Sequence, residues 1–231
     1  MFHVKRRHKR DYQNFEALRV AMLLTFLSGF IDSYTFLTQG RRFAGLQTGN
    51  LLYMMIHLAD GRILDVLSYF IPLFFFILGQ VFAYFLRRWT DDKHYRWHCF
   101  STYVLLVLLL FIAILSPLLS SVFTIGSLAF FASIKLVTFK RVRGYQYTNL
   151  MMTGNIRVAS YLFTKGWVEK NQLIFKQALY ITAIIASFMM GVMVSTILSH
   201  YFIEFSLYAA LFPMIFLAYF VSIESEQTKN P

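Results

Sequence analysis

TGNLLYMMIHLA at Thr48–Ala59 and TGNIRVASYLF at Thr153–Phe163 share an opening, and their reading decides the fold. Each puts a helix-breaking glycine and a polar asparagine at the head of a short apolar run. A transmembrane helix needs about 20 apolar residues, whereas runs of 10–14 suit re-entrant or interfacial helices. Polar, non-helical backbone is tolerated at membrane depth only where protein or water covers it. A trio that occurs twice therefore reads as a duplicated element beside a cavity.

The surrounding chain is a membrane chain. Of 231 residues, 58% are hydrophobic, 19% aromatic and 14% charged, against about 25% charged in an ordinary soluble domain. Six segments are long enough to cross: Ala17–Leu37, Ile63–Leu86, Cys99–Ser116, Leu118–Phe139, Leu173–Ser199 and Phe205–Ile223. They are apolar on every face, as helices in lipid or in a bundle interior are. Pro117 falls in a turn between spans, while Pro72 and Pro213 are expected to kink helices. The single cysteine, Cys99, excludes an intrachain disulfide and any multi-cysteine metal site. HExxH, CxxC, GxSxG and phosphate-binding glycine loops are absent from the sequence, so we expect no enzyme activity, no metal and no cofactor.

The net charge of +11 resolves into position. Lys5, Arg6, Arg7, Lys9 and Arg10 precede the first apolar segment, where a basic cluster is drawn to anionic lipid and sets orientation. With no recognition module present, nucleic acid is not an expected partner. The apolar run from Ala17 exceeds a signal-peptide core and has no small-x-small cleavage site after it. If both short segments crossed, Arg41, Arg42, Arg87, Arg88, Lys93, Arg96, Lys140, Arg141 and Arg143 would all lie outside, against the positive-inside rule. If both dip and return, only Arg41, Arg42 and Arg62 stay outside. Both termini are then cytoplasmic. Trp89, Trp97 and Trp167 flank spans on that cytoplasmic side, as interfacial anchors do.

The expected fold class is thus all-α integral membrane, with six transmembrane helices plus two short re-entrant Thr-Gly-Asn helices in an inverted repeat. A basic tail (1–16) precedes a first repeat (17–116) ordered span, re-entrant helix, span, span. A second, inverted repeat (117–223) has the same order, and a polar tail (224–231) follows. Three crossings per unit turn the second unit over, a common transporter plan with the site at the repeat interface. Asp32-Ser33-Tyr34-Thr35-Phe36 before the first trio echoes Lys135-Leu136-Val137-Thr138-Phe139 before the second, and Gly79 echoes Gly191. An extended chain from Phe43 to Gln47 reaches about 16 Å, half of a hydrocarbon core.

Gly29-Phe30-Ile31-Asp32, then Thr-Gly-Asn-Leu, then a second Thr-Gly-Asn resembles the YoaK-like family of bacterial multi-pass membrane proteins. The resemblance covers nearly the whole chain. It implies a bacterial cell membrane location and no particular substrate. One departure stands at Ile134-Lys135, where such proteins usually carry Gln-Asn.

The candidate substrate-binding residues are Thr48, Gly49, Asn50, Thr153, Gly154 and Asn155, with Asp32 and Lys135. Thr48 and Thr153 are expected to cap their helices. Two opposed helix N-termini would then favour an anionic or hydrogen-bond-accepting solute. The alternative is that the trios only pack helices closely. Asp32 and Lys135 are intramembrane charges, functional by default, and inverted topology sets them roughly 15 Å apart in depth. Asp32 is read as meeting the first trio's amides, and Lys135 either as lining the cavity near the second or as snorkelling to headgroups. Gln80 and Lys176 are thinner candidates, His57 is read as solvated, and Met151, Met152, Met189 and Met190 as packing. Expected partners are the lipid bilayer and a small solute, and the apolar helix faces are compatible with a homo-oligomer. The functional expectation is a small-solute transporter or channel, with a non-transporting membrane scaffold or assembly factor as the alternative.

Overall fold

The computed structural model describes residues 14–93 and 96–227; the basic run Lys5, Arg6, Arg7, Lys9 and Arg10 and residues 228–231 lie outside them. The helices are α1 (Leu18–Thr38), α2 (Gln47–Ala59), α3 (Ile63–Asp92), α4 (Trp97–Leu115), α5 (Ser121–Thr138), α6 (Met152–Val168), α7 (Gln172–Phe202) and α8 (Leu211–Gln227). A hairpin of β1 (Arg141–Val142) and β2 (Tyr145–Gln146) separates α5 from α6. Among the described residues, five stretches are long and apolar enough to cross a membrane: Leu18–Thr38, Ile63–Asp92, Trp97–Leu115, Ser121–Thr138 and Gln172–Ile223. The chain is all-α and of multi-pass membrane type.

The last stretch spans 52 residues and is not straight. A 3-10 segment, Ile203–Ala210, joins α7 to α8, and Ile203 enters it with φ of 48°. The chain then doubles back. Glu204 lies electrostatically close to Tyr34, toward the end of α1, whereas Phe220 lies under the Arg19 guanidinium, 4.4 Å away, at the start of α1. Pro213 sits in the first turn of α8 and not in a helix interior as expected. There its missing N–H deprives the helix of nothing. Pro72 does lie inside α3.

Two tight seams organise the bundle, and each joins the two halves of the chain. Helix α1 packs on α7 and runs with it: Met22 O accepts from Ser187 Oγ at 2.8 Å, and Ser33 Oγ meets Thr196 Oγ1 at 2.9 Å. A Cβ added at Gly191 would collide with the Phe26 carbonyl oxygen, and one at Gly29 with that of Phe188. Helix α3 packs on α5 the same way, with Ser133 Oγ donating to Phe76 O at 2.7 Å and Gln80 Nε2 to Ser133 Oγ at 2.8 Å. At Gly79 a Cβ would stand 2.8 Å from the Phe130 carbonyl oxygen. Small residues at such seams let backbones approach, which is the main attraction between helices in lipid.

The seams oppose each other in direction. Tyr34, near the end of α1, bonds Ser116 at 2.7 Å, and Ser116 also accepts from Thr124 near the start of α5 at 3.5 Å. Lys135, near the end of α5, reaches Leu24 and Ser28 toward the start of α1. So α1 with α7 runs one way and α5 with α3 the other. The shorter helices lie outside, α2 along α3 and α6 along α7, with exposed apolar residues such as Leu52 and Ile156. The core beneath the seams is built from Leu24, Leu27, Phe30, Leu109, Leu128 and Phe131.

The hairpin was not expected from the sequence. Arg143 and Gly144 form its two-residue loop with φ of 49° and 83°, the positive pair of a type I′ turn. Glu16 holds the loop, its carbonyl accepting from Arg143 N at 2.7 Å and its carboxylate from Gly144 N at 3.0 Å.

Candidate functional site

Each Thr-Gly-Asn opens a helix, but the threonines do not cap it. The N-cap positions are Leu46 and Met151, with no side-chain cap, so Thr48 and Thr153 lie inside the first turn and the capping expectation is corrected. The asparagines do the local work. Asn50 Oδ1 accepts from Phe43 N at 3.0 Å while its Nδ2 donates to Phe43 O at 2.7 Å. Asn155 repeats this on Thr148, at 3.4 Å to the N–H and 2.8 Å to the carbonyl. Both asparagines are buried, at 0% and 3% exposure. A side-chain amide offers an acceptor oxygen and two donors, and here it pairs both the N–H and the C=O of the residue seven positions back. It clamps the loop that leads into the helix, where no strand or helix could satisfy that backbone.

Asp32 belongs to the loop just ahead of the first trio. Its Oδ1 accepts from Gly45 N at 2.6 Å, and the amides of Ala44 and Leu46 also stabilise its charge. The trio's own amides are not its partners. Gly45 fits closely, since a Cβ would stand 2.8 Å from the Leu150 Cδ2 and 3.1 Å from the Asp32 carboxylate, so both side chains would have to shift to admit one.

Lys135 neither snorkels nor lines the cavity near the second trio. It is 1% exposed, and its Nζ donates to Leu24 O at 3.2 Å and to Ser28 Oγ. The expected separation from Asp32 shrinks accordingly. Ser28 is one helical turn from Asp32 on α1, about 6 Å along the axis, and the two charges attract each other without forming a direct ion pair. The long lysine stem crosses from α5 to α1, which an estimate from backbone depth leaves out.

Around Asp32 the loop leading into the first trio and the opening of the second meet at a cleft of about 490 Å³. Its walls are Asp32, Ser33 and Phe36 of α1, Phe43 and Leu46 ahead of α2, Leu150, Met152 and Thr153 at the start of α6, and Phe188, Val192 and Thr196 of α7. Most of the surface is apolar. Its polar points are the Asp32 carboxylate, the Ser33–Thr196 hydroxyl pair and Thr153. Of the predicted residues the structure brings Asp32 and Thr153 together here. Thr48, Gly49, Asn50 and Lys135 line neither this cleft nor another described cavity, while Gly154 and Asn155 face a different one.

Several residues that matter were not singled out from sequence. Arg42, 8% exposed, donates Nε to Gln39 O at 2.8 Å and Nη2 to Ser121 Oγ at 2.7 Å, tying the loop after α1 to the start of α5. Asn149 donates to the carbonyls of Lys135 at 3.5 Å and Phe139 at 3.1 Å. Burial pushes the neighbouring Tyr147 phenol above its usual range. Arg42 left one signal, as one of few arginines on the side the charge rule disfavours. His57, read as solvated, is stacked on Tyr69 at 5.3 Å with its ring 3.9 Å from Asp65. Gln80 faces the bundle, bonded to Ser133, while Lys176 is exposed.

A family model described as "Protein of unknown function (DUF1275)" matches residues 20–222. No curated protein and no solved structure matches the chain.

Proposed function

We propose, for a chain that belongs to the DUF1275 family, a small-solute transporter or channel of the bacterial cell membrane whose site is the cleft between the two Thr-Gly-Asn elements. One observation carries this reading: a cleft of about 490 Å³ receives walls from both elements and from the α1–α7 seam, with a buried carboxylate on its surface. Transport sites of repeat-built proteins lie in such a position. The YoaK-like resemblance agrees with the matched family in class and supplies no substrate.

The reading includes six spans, two re-entrant helices and an inverted repeat, with both termini cytoplasmic. Helix direction supports it. Because α1 and α3 run oppositely, α2 begins and ends on one side, and the same holds for α6 between α5 and α7. Partner exchange supports the repeat: the first helix of each half packs on the third of the other, α1 on α7 and α5 on α3. The charges left outside also have reasons to be there. Arg62 pairs with Asp60 at 2.6 Å, and Arg42 is buried in hydrogen bonds.

The scaffold reading keeps one observation of its own. The amides of Asn50 and Asn155 are engaged within the protein: each pairs both backbone groups of the residue seven positions back, and each Nδ2 also meets a side chain, Gln47 Oε1 in one and Met152 Sδ in the other. Accessibility decides between the two. In a Cys99→Ala background, Ser33→Cys and Thr196→Cys should react with a membrane-impermeant maleimide from one face of sealed vesicles. Failure to label from either face, with a Gly61→Cys control labelled outside, removes the transport reading.

A further inference from the structure

A second cavity, of about 580 Å³, opens beside the first turn of α6. Thr153 lines the first cleft and Gly154 and Asn155 line this one, so a single turn of α6 forms the wall between them. The second cavity differs in chemistry. Lys140, Arg141 and Arg157 line it, Gln146 and Thr148 add polar groups, and no acidic residue is among its walls.

The three cations are available. Among the described residues none of them takes part in an ion pair. The first turn of α6 is also uncapped by any side chain, which leaves its N–H donors and positive dipole end exposed to whatever enters. A Cβ at Gly154 would meet nothing within 4 Å, so space above that turn is open. Tyr147, 6% exposed, lines the same cavity with its phenol beside the Asn149 side chain. The rim is held in place, because the hairpin carrying Arg141 and Gln146 is bonded to Glu16 and, through Tyr145, to Gln177 of α7.

We propose that this cavity binds a phosphate-type oxyanion. Three cations around one opening, open polar backbone and no competing carboxylate make a site for a group with several acceptor oxygens and negative charge, to which arginine donates in pairs. Two sources carry that chemistry: the phosphodiester headgroup of an anionic lipid, and a soluble phosphate-bearing solute. The site stands on its own residues and does not require the transport reading.

The test uses the full purified chain in phosphatidylcholine nanodiscs. One arm titrates inorganic phosphate by thermal shift, and the other raises the phosphatidylglycerol content and counts retained lipid by native mass spectrometry. We expect at least one ligand to bind, Arg157→Gln to weaken it about tenfold, and Lys140→Gln/Arg141→Gln/Arg157→Gln to abolish it. Gly154→Val, which fills the opening without changing charge, should weaken it too, while Lys170→Gln, a cation outside the cavity, should not. Retention of phosphatidylglycerol alone names the lipid source, and a phosphate shift names the soluble one. Binding of neither ligand, an equal loss in Lys170→Gln, or full binding in the triple variant overturns the proposal. None of these results bears on maleimide access to the Ser33–Thr196 cleft.

Discussion

The two Thr-Gly-Asn elements share one device and differ in everything around it. In both, asparagine pairs the N–H and C=O of the residue seven positions back, Phe43 in one and Thr148 in the other. Outside that clamp the polarity is reversed. In the first element a helix side chain serves the loop, Asp32 accepting from Gly45 N. In the second a loop side chain serves the helix, Asn149 donating to the Lys135 and Phe139 carbonyls. The first element is sealed by Phe43 against Gly49, while the second is open at Gly154. The clamp is what the geometry of a loop entering a helix inside a bundle demands. The shell around it is free to diverge, and there the two ends of the molecule acquire different chemistry.

The sharpest way to break the comparison is to exchange the shells. Asn149→Asp makes the second loop resemble the first in charge, but it faces a carboxylate toward two carbonyl acceptors in a fully buried place. We expect a loss of about 3–5 kcal/mol, the scale for an uncompensated buried charge, read as a collapse of the monodisperse peak in detergent. Asp32→Asn keeps an acceptor for Gly45 N and should cost less, about 1–3 kcal/mol, as the charge assistance is lost. If Asn149→Asp proves the milder of the two, the reversed polarity is not structural.

Removing the clamps should come next in size. Asn50→Ala strands the Phe43 N–H and C=O in a site with no exposure at the side chain, at about 2–4 kcal/mol for two unsatisfied groups. Asn155→Ala should cost about half as much, because its contact to Thr148 N is already long at 3.4 Å and the second element borders an open cavity that water can enter. Thermal unfolding of both variants in one detergent checks the order. Equal losses would mean that the open side of the second element is drier than its cavity implies.

How much of this was legible depends on what kind of information a residue needs. The long helices followed from apolar length alone, and α2 begins one residue from where the trio predicted, at Gln47. Helix α6 runs to Val168, past the expected Phe163, because Gly166 continues the helix while its missing Cβ lets the Phe175 backbone close in. That is a tertiary reason, absent from local pattern. The α7–α8 corner falls in the gap expected between Ser199 and Phe205, but its form was silent, since Ile203 takes a positive φ where glycine or asparagine would have marked the turn. Asparagine near a helix start fits a cap or a clamp equally well by propensity. Only the position of Phe43 and Thr148 in space decides. Lys135 was misplaced for a similar reason: depth along its own helix says nothing about a stem that lies across to Ser28.

The smallest effect separates sealed from open most cleanly. At Gly49 an added Cβ would stand 2.9 Å from two ring carbons of Phe43, so Gly49→Ala must push that ring out of its stack on Phe36, whose centroid lies 5.1 Å away. Overpacking of this kind costs about 1–3 kcal/mol. At Gly154 the same methyl meets open space and sits in a helical first turn, where alanine is the better helix former. Gly154→Ala should therefore be neutral or gain up to about 1 kcal/mol. The two substitutions fall at matching positions of the two trios, so intrinsic helix propensity cancels between them and the difference reports only what surrounds each turn. A melting temperature that drops for Gly49→Ala and holds for Gly154→Ala ties the asymmetry to Phe43. Matched shifts would place both trios in equally tight surroundings and close the opening on which the basic cavity depends.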